Sequence, residues 1–170
     1  GRAARERMER TERKASETAQ LLGELRKAKY TPGVTLNDWL EKHHQPEAQN
    51  GLSAVELLKR PEITLSALAE LSPEIRQFGK PAQEQVEISV KYEGYLERQE
   101  TLIRHARQME ETLLPEDLPY EEVTGLRIEA RQKLMKQRPR SLAAASRIPG
   151  VSPADVAVLM VFLEKHKGND

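Results

Sequence analysis

The sequence contains no cysteine, and only 4% of its 170 residues are aromatic. The first absence excludes disulfides, thiolate zinc sites, iron–sulfur clusters and cysteine nucleophiles, and it is compatible with a reducing compartment. The second argues against a large aromatic-packed core. Long apolar runs are missing too. The longest apolar-rich stretch, residues 156–163, falls well short of the about 20 residues a membrane-spanning helix needs, and mean hydropathy is -0.69. The N-terminus opens with alternating charge and shows no apolar segment of a signal peptide. A net charge is absent as well, with 27 Lys+Arg against 27 Asp+Glu.

Local counts show what the balanced total hides. Residues 1–29 hold nine Lys/Arg against five Glu. Residues 108–126 hold six acids and no base, whereas residues 127–147 hold seven bases and one acid, Glu129. A surplus of that size can attract phosphate despite a neutral whole; a solvated helix face beside an acidic loop is the plainer alternative.

Apolar periodicity and capping signals predict helices throughout. Residues 3–29 read as a helix whose short apolar stripe is Leu21, Leu22 and Leu25. Residues 36–42, with the only Trp, form a second, and His43 and His44 at its end point about 100° apart, which does not make a chelating pair. Ser53 and Glu56 make a capping box, Thr64 opens a further helix, and Ser72-Pro73-Glu74 starts another turn. Residues 81–112 form the longest periodic segment; Val86, Ile88 and Val90 alternate like a strand, but the length decides for helix. Helices are also expected over 123–137, over 141–148 and from Ser152 onward, where Pro153 takes the first helical position. No segment reads as a strand. The expected fold is all-α: an elongated multi-helix domain with a small C-terminal helical subdomain. Its expected divisions are 1–52 (opening helix and connector), 53–119 (body with a long central helix) and 120–170 (C-terminal subdomain).

No two of the nine glycines stand two residues apart, so there is no dinucleotide fingerprint and no Walker A loop. G-x-S-x-G and H-E-x-x-H are absent as well, and nothing points to catalytic residues or metal ligands. Two segments stand out. Gly94 lies inside the long helix at a cost of about 1 kcal/mol relative to Ala, and lets another helix or a backbone approach closely. Around it, Lys91, Tyr95 and Arg98 share one face; the two cations are suited to phosphate or to Glu87, Glu93 and Glu97, and Tyr92 and Tyr95 to a core. The second segment is Ala145-Ser146-Arg147-Ile148-Pro149-Gly150-Val151-Ser152-Pro153. It resembles a helix-hairpin-helix nucleic-acid motif in which Gly150 supplies a positive φ and the last helix offers amides to an anion, with Ser152 in place of the motif's second glycine. A well-capped helical corner is the equal alternative.

Taken in order, Arg60-Pro61-Glu62-Ile63-Thr64, Gln85-Val86-Glu87-Ile88, Lys91-Tyr92-Glu93-Gly94-Tyr95 with Arg98-Gln99, Leu114-Pro115, Tyr120, Gly125-Leu126 and the hairpin block resemble the C-terminal helical domain of the GidA or MnmG family of tRNA uridine 5-carboxymethylaminomethyl modification enzymes. The resemblance implies a homodimeric cytoplasmic enzyme that uses FAD and NADH and works with a GTPase partner, MnmE, on the wobble uridine of tRNA. It also implies that the flavin domain and catalytic cysteines lie N-terminal to this region, and that this region docks the GTPase and helps hold tRNA. By that analogy Lys91, Tyr95, Arg98, Arg127, Arg131, Lys133 and Arg147 are candidates for a tRNA or partner surface, with Gly94, Gly150 and Pro153 as turn and packing residues. A purely structural scaffold without tRNA contact is the competing expectation.

Overall fold

Residues 1–98 fold around leucines placed on short helices. A computed structural model of the chain describes residues 1–167; Gly168 and the end of the expected 120–170 segment lie outside the described residues. Among these the fold is all-α, as the sequence predicts. Helix α1 (Arg2–Lys27) buries nothing over its first turns, then inserts Leu21 and Leu25, one turn apart, into the core. The chain leaves α1 in an extended conformation at Ala28, and β1 (Lys29–Tyr30) pairs antiparallel with β2 (Leu52–Ser53). Each strand has two residues, too few to leave an alternating pattern, which is why the sequence shows no strand.

Helix α2 (Val34–Lys42) contributes Leu36, Trp39 and Leu40. The Trp39 indole N–H donates to the Ala67 carbonyl at 3.0 Å, which satisfies its one polar atom. Helix α3 (Ala54–Lys59) begins at the expected capping box: Ser53 Oγ accepts from Glu56 N at 3.1 Å and Ser53 N donates to Glu56 Oε2 at 3.4 Å. Thr64 caps α4 (Leu65–Leu68). Where the sequence suggests another helix at Ser72, the chain makes a 3₁₀ turn, Pro73–Gln77. The Ser72 hydroxyl bonds the Tyr30 hydroxyl instead of a helix amide, so the cap an α-helix would need is not made.

Helix α5 (Lys80–Glu111) follows, and only Ala82, Val86, Val90 and Gly94 of it are buried. Tyr92 and Tyr95 are 62% and 51% exposed, and Leu96, Leu102 and Ile103 are exposed too, so the tyrosines are not the core residues that periodicity suggests. The chain separates into two compact units, residues 1–98 and 99–170. The sequence instead sets boundaries after 52 and 119. Leu21, Leu25, Leu36 and Trp39 share one core with Leu57, Leu58, Val86 and Val90, which joins the expected first segment to the next.

The second unit contains the C-terminal part of α5, a 3₁₀ turn at Tyr120–Glu122, α6 (Ile128–Gln137), α7 (Leu142–Ser146) and α8 (Pro153–His166). Its own core gathers Leu118, Tyr120, Val123, Leu134, Leu142, Val156 and Leu159. Helix α6 starts five residues later than the expected 123 because Gly125 takes a φ of +102° and Arg127 is extended. It ends where Arg138 turns left-handed (φ 44°), immediately before Pro139.

Gly94 is the close approach the sequence anticipates. A Cβ built there would lie 2.8 Å from the Lys59 carbonyl oxygen at the end of α3. Gly94→Ala is therefore expected to destabilise the chain by about 1–3 kcal/mol, against the gain of about 1 kcal/mol from helix propensity alone. Urea denaturation checks this; a stabilised variant would show that the contact is not tight.

Candidate nucleic-acid and partner interface

The seven candidate side chains occupy different situations, and most are engaged within the fold. Lys91 points at the C-terminal end of α3. Its Nζ donates to the carbonyls of Leu58 (2.7 Å), Arg60 (2.5 Å) and Ile63. Helix C-termini leave carbonyls without intrahelical partners, and an ammonium with three donors satisfies three. Burial draws the Lys91 pKa below the usual lysine value, while Glu87 and Glu62 oppose that pull. All three donors of Lys91 are occupied, so it has none left for phosphate. Two turns further along α5, Arg98 Nη1 donates to the Lys59 carbonyl at 3.0 Å. It is Lys59 that pairs with Glu97 at 2.8 Å and Glu93 at 3.6 Å. Tyr95 remains exposed beside them.

In the second unit Arg131 reaches back over the 3₁₀ turn. Its Nη1 donates to the carbonyls of Tyr120 (2.6 Å) and Glu121 (3.0 Å). Arg138 does the same for Glu116 and Leu118, both at 2.9 Å, and lies 5.3 Å from the Tyr120 ring centroid. Arg147 pairs with Glu110 on α5 rather than joining the hairpin amides in an anion site. Lys133 stands exposed on α6 without a side-chain partner among the described residues, and the same holds for its neighbours Lys136 and Arg140.

The hairpin has the predicted backbone but not the predicted vacancy. Gly150 has φ +98° and Pro153 opens α8. At the start of α8 the Ser152 amide is met by the chain's own carboxylate and the Asp155 amide by the Ser152 hydroxyl. Asp155 Oδ2 accepts from Ser152 N and Ser152 Oγ, both at 2.9 Å, and Oδ1 accepts from Arg127 N at 3.2 Å. Arg127 completes the arrangement, with Nε 3.1 Å from Asp155 Oδ2 and Nη2 2.9 Å from the Gly150 carbonyl. A Cβ on Gly150 would come within 2.9 Å of Glu129 Oε1, so a second carboxylate stands at the turn. The geometry is that of a capped corner, the alternative the sequence left open. The signal for it was present in Asp155, three residues after the Ser152 cap.

Burial alone would raise the Asp155 pKa, but the backbone bonds from Ser152 and Arg127, then their side-chain bonds, outweigh it and hold the carboxyl at about 2 against 3.8. Because the folded value lies below the unfolded one, this carboxylate stabilises the fold fully above pH 4, and the contribution is lost as pH falls from about 4 through 2. Asp155→Asn is expected to lower stability at pH 6 by roughly 1–3 kcal/mol and to flatten the acid limb of the stability curve. An unchanged acid limb in thermal melts would contradict the assignment. The Tyr120 hydroxyl is buried without a hydrogen-bond partner among the described residues, and burial raises its pKa despite Arg138. Tyr120→Phe is accordingly expected to be neutral or to stabilise by up to about 1 kcal/mol; a clear loss in the same melts would mean the hydroxyl has a partner.

Comparison with known proteins matches this division into two units. The family model of the tRNA modifying enzyme MnmG/GidA C-terminal helical domain matches residues 5–100, and that of the MnmG/GidA C-terminal helical bundle matches residues 102–170. The tRNA uridine 5-carboxymethylaminomethyl modification enzyme MnmG of Caldicellulosiruptor saccharolyticus is 38% identical over 98% of this chain and 27% of its own length. That of Syntrophobacter fumaroxidans is 44% identical over 85% of this chain and 22% of its own. A structure of Aquifex aeolicus GidA is similar at 26% identity over 93% of this chain and 24% of that one, with a TM-score of 0.37. The chain thus spans about a quarter of the length of the curated relatives it matches. With both of its units matched in order, this chain belongs to the MnmG/GidA family of tRNA-modifying enzymes and corresponds to their C-terminal helical domains.

Proposed function

We propose that this chain is a docking and tRNA-binding domain of an enzyme that, with the GTPase MnmE, installs the 5-carboxymethylaminomethyl group on the wobble uridine of tRNA. The observation that carries the tRNA half is the exposed cationic side of α6, where Lys133 and Lys136 stand unpaired, with Arg140 just beyond the helix. Phosphate contacts from such side chains position a polynucleotide without reading its sequence. By the same reading the full-length enzyme is a cytoplasmic homodimer that binds FAD and uses NADH. The residues present here do not fit either cofactor: no two glycines stand two apart, and the paired strands have two residues each. Flavin chemistry is accordingly assigned to the part of the longer relatives that this chain does not cover.

A second reading, a structural scaffold without tRNA contact, draws support from the internal bonds of Lys91, Arg98, Arg127, Arg131 and Arg147. The two readings separate in a titration of the chain against labelled tRNA and against the GTPase over a range of salt. The docking reading expects binding to both, with tRNA affinity falling steeply with salt. Charge reversal at Lys133 and Lys136 should weaken tRNA binding uniformly across sequences and reduce the salt slope by about 1 for each contact removed. Binding to neither partner at low salt would contradict the proposal and leave the scaffold.

A further inference from the structure

The second unit carries an open apolar groove that the tRNA reading does not use. It runs between the loop following α5 and the outer side of α8, as two adjoining hollows of about 520 and 460 Å³. Glu122, Phe162 and His166 line both, so the hollows form one depression. Its floor is apolar: Leu113, Leu118, Val161 and Phe162 contribute, and Leu113 and Val161 are 70% and 53% exposed. Apolar side chains of that size left in water along one depression are a cost unless something covers them.

The charge on the banks indicates what fits. The loop bank lines the groove with Asp117 and Glu122 and no base, Glu116 and Glu121 stand exposed elsewhere on the same loop, and none of the four forms an ion pair among the described residues. The nearby bases Arg131 and Arg138 are turned onto backbone carbonyls of the same loop, so they do not neutralise its carboxylates by pairing. The α8 bank is mixed, with Glu164, Lys165 and Lys167. An acidic bank repels phosphate, which disfavours RNA here. An apolar floor beside it favours a peptide helix with an apolar stripe edged by Lys or Arg.

We infer that the groove between residues 112–122 and α8 docks a basic amphipathic helix of a protein partner. The inference deepens the docking half of the proposed function and rests on it for the partner's identity, but its own chemistry is testable without that partner. The probe is a labelled helical peptide of about 18 residues with a leucine stripe flanked by lysines, and its mirror carrying glutamates in their place. Fluorescence anisotropy with the whole chain is expected to show the lysine peptide binding roughly tenfold or more tightly than the glutamate one, with the difference shrinking at high salt. Val161→Lys and, separately, Glu122→Lys should weaken it roughly tenfold, each without altering the thermal melt, because both positions are exposed. Lys133→Glu should not weaken it.

Equal binding of the two peptides, or binding indifferent to both groove variants, overturns the inference. So does self-association of the chain abolished by Val161→Lys, which would make a second copy the occupant, and so does loss of tRNA binding in that variant. If the GTPase binds the chain but the groove variants are silent, the docking reading stands and this groove is not its site. If the peptide binds through the groove and the GTPase does not bind at all, the groove assignment stands and the docking reading fails.

Discussion

A chain assembled from short helices must dispose of the backbone groups that each helix end leaves unpaired. Most structural features here follow from that constraint. Helices α3, α4 and α7 have six residues or fewer, so the unpaired ends make up most of each. Amides at the N-termini are met by Ser53 with Glu56, by Thr64, by Ser141 and by Ser152 with Asp155. Carbonyls at C-termini and in turns are met by long cationic side chains arriving from elsewhere: Lys91 at the end of α3, Arg131 over the 120s turn, Arg138 at Glu116 and Leu118, and Arg127 at Gly150. Such bonds to a charged group contribute more than neutral ones, and leaving the carbonyls unmet would cost the full desolvation penalty.

This explains why charge counts mislead about surface. Residues 127–147 look like a basic stretch suited to phosphate, yet Arg127, Arg131, Arg138 and Arg147 are bound to the fold. Only Lys133, Lys136 and Arg140 keep their charge toward solvent without a side-chain partner among the described residues. Arginine suits the internal role because its planar fork can satisfy two carbonyls at once. The acidic run at 108–126 is complementary in a specific sense. Apart from Glu110, whose carboxylate pairs with Arg147, the run receives the arginines through its backbone, so the carboxylates of Glu116, Asp117, Glu121 and Glu122 stay outward.

Local signals in the sequence were legible where one residue type has one physical role. The capping boxes at Ser53 and Ser152, the tight approach at Gly94, the positive φ of Gly150 and the length of α5 can each be read from a few neighbouring residues. What could not be read depends on the direction of long side chains and on contacts distant in sequence. Tyr92 and Tyr95 follow the apolar period of α5, but that helix buries only the side bearing Val86, Val90 and Gly94, so both are left exposed. Lys91 is grouped with Arg98 by spacing, yet its ammonium lies 33 residues away in sequence from one of its acceptors, Leu58. The boundary between units falls inside one continuous helix, where composition offers no break, and the two family models meet at the same place.

The central claim is that the cations of this domain divide into those that hold helix ends and those that face a partner. The most direct test replaces one of each in the same chain, Lys91→Met and Lys133→Met, and measures both unfolding free energy and the salt dependence of tRNA binding. The account predicts that Lys91→Met lowers stability by roughly 2–4 kcal/mol and leaves the salt slope of the remaining folded chain unchanged. It predicts that Lys133→Met changes stability by less than about 0.5 kcal/mol and reduces the slope by about 1. A Lys91 variant of undiminished stability with a reduced slope would contradict it.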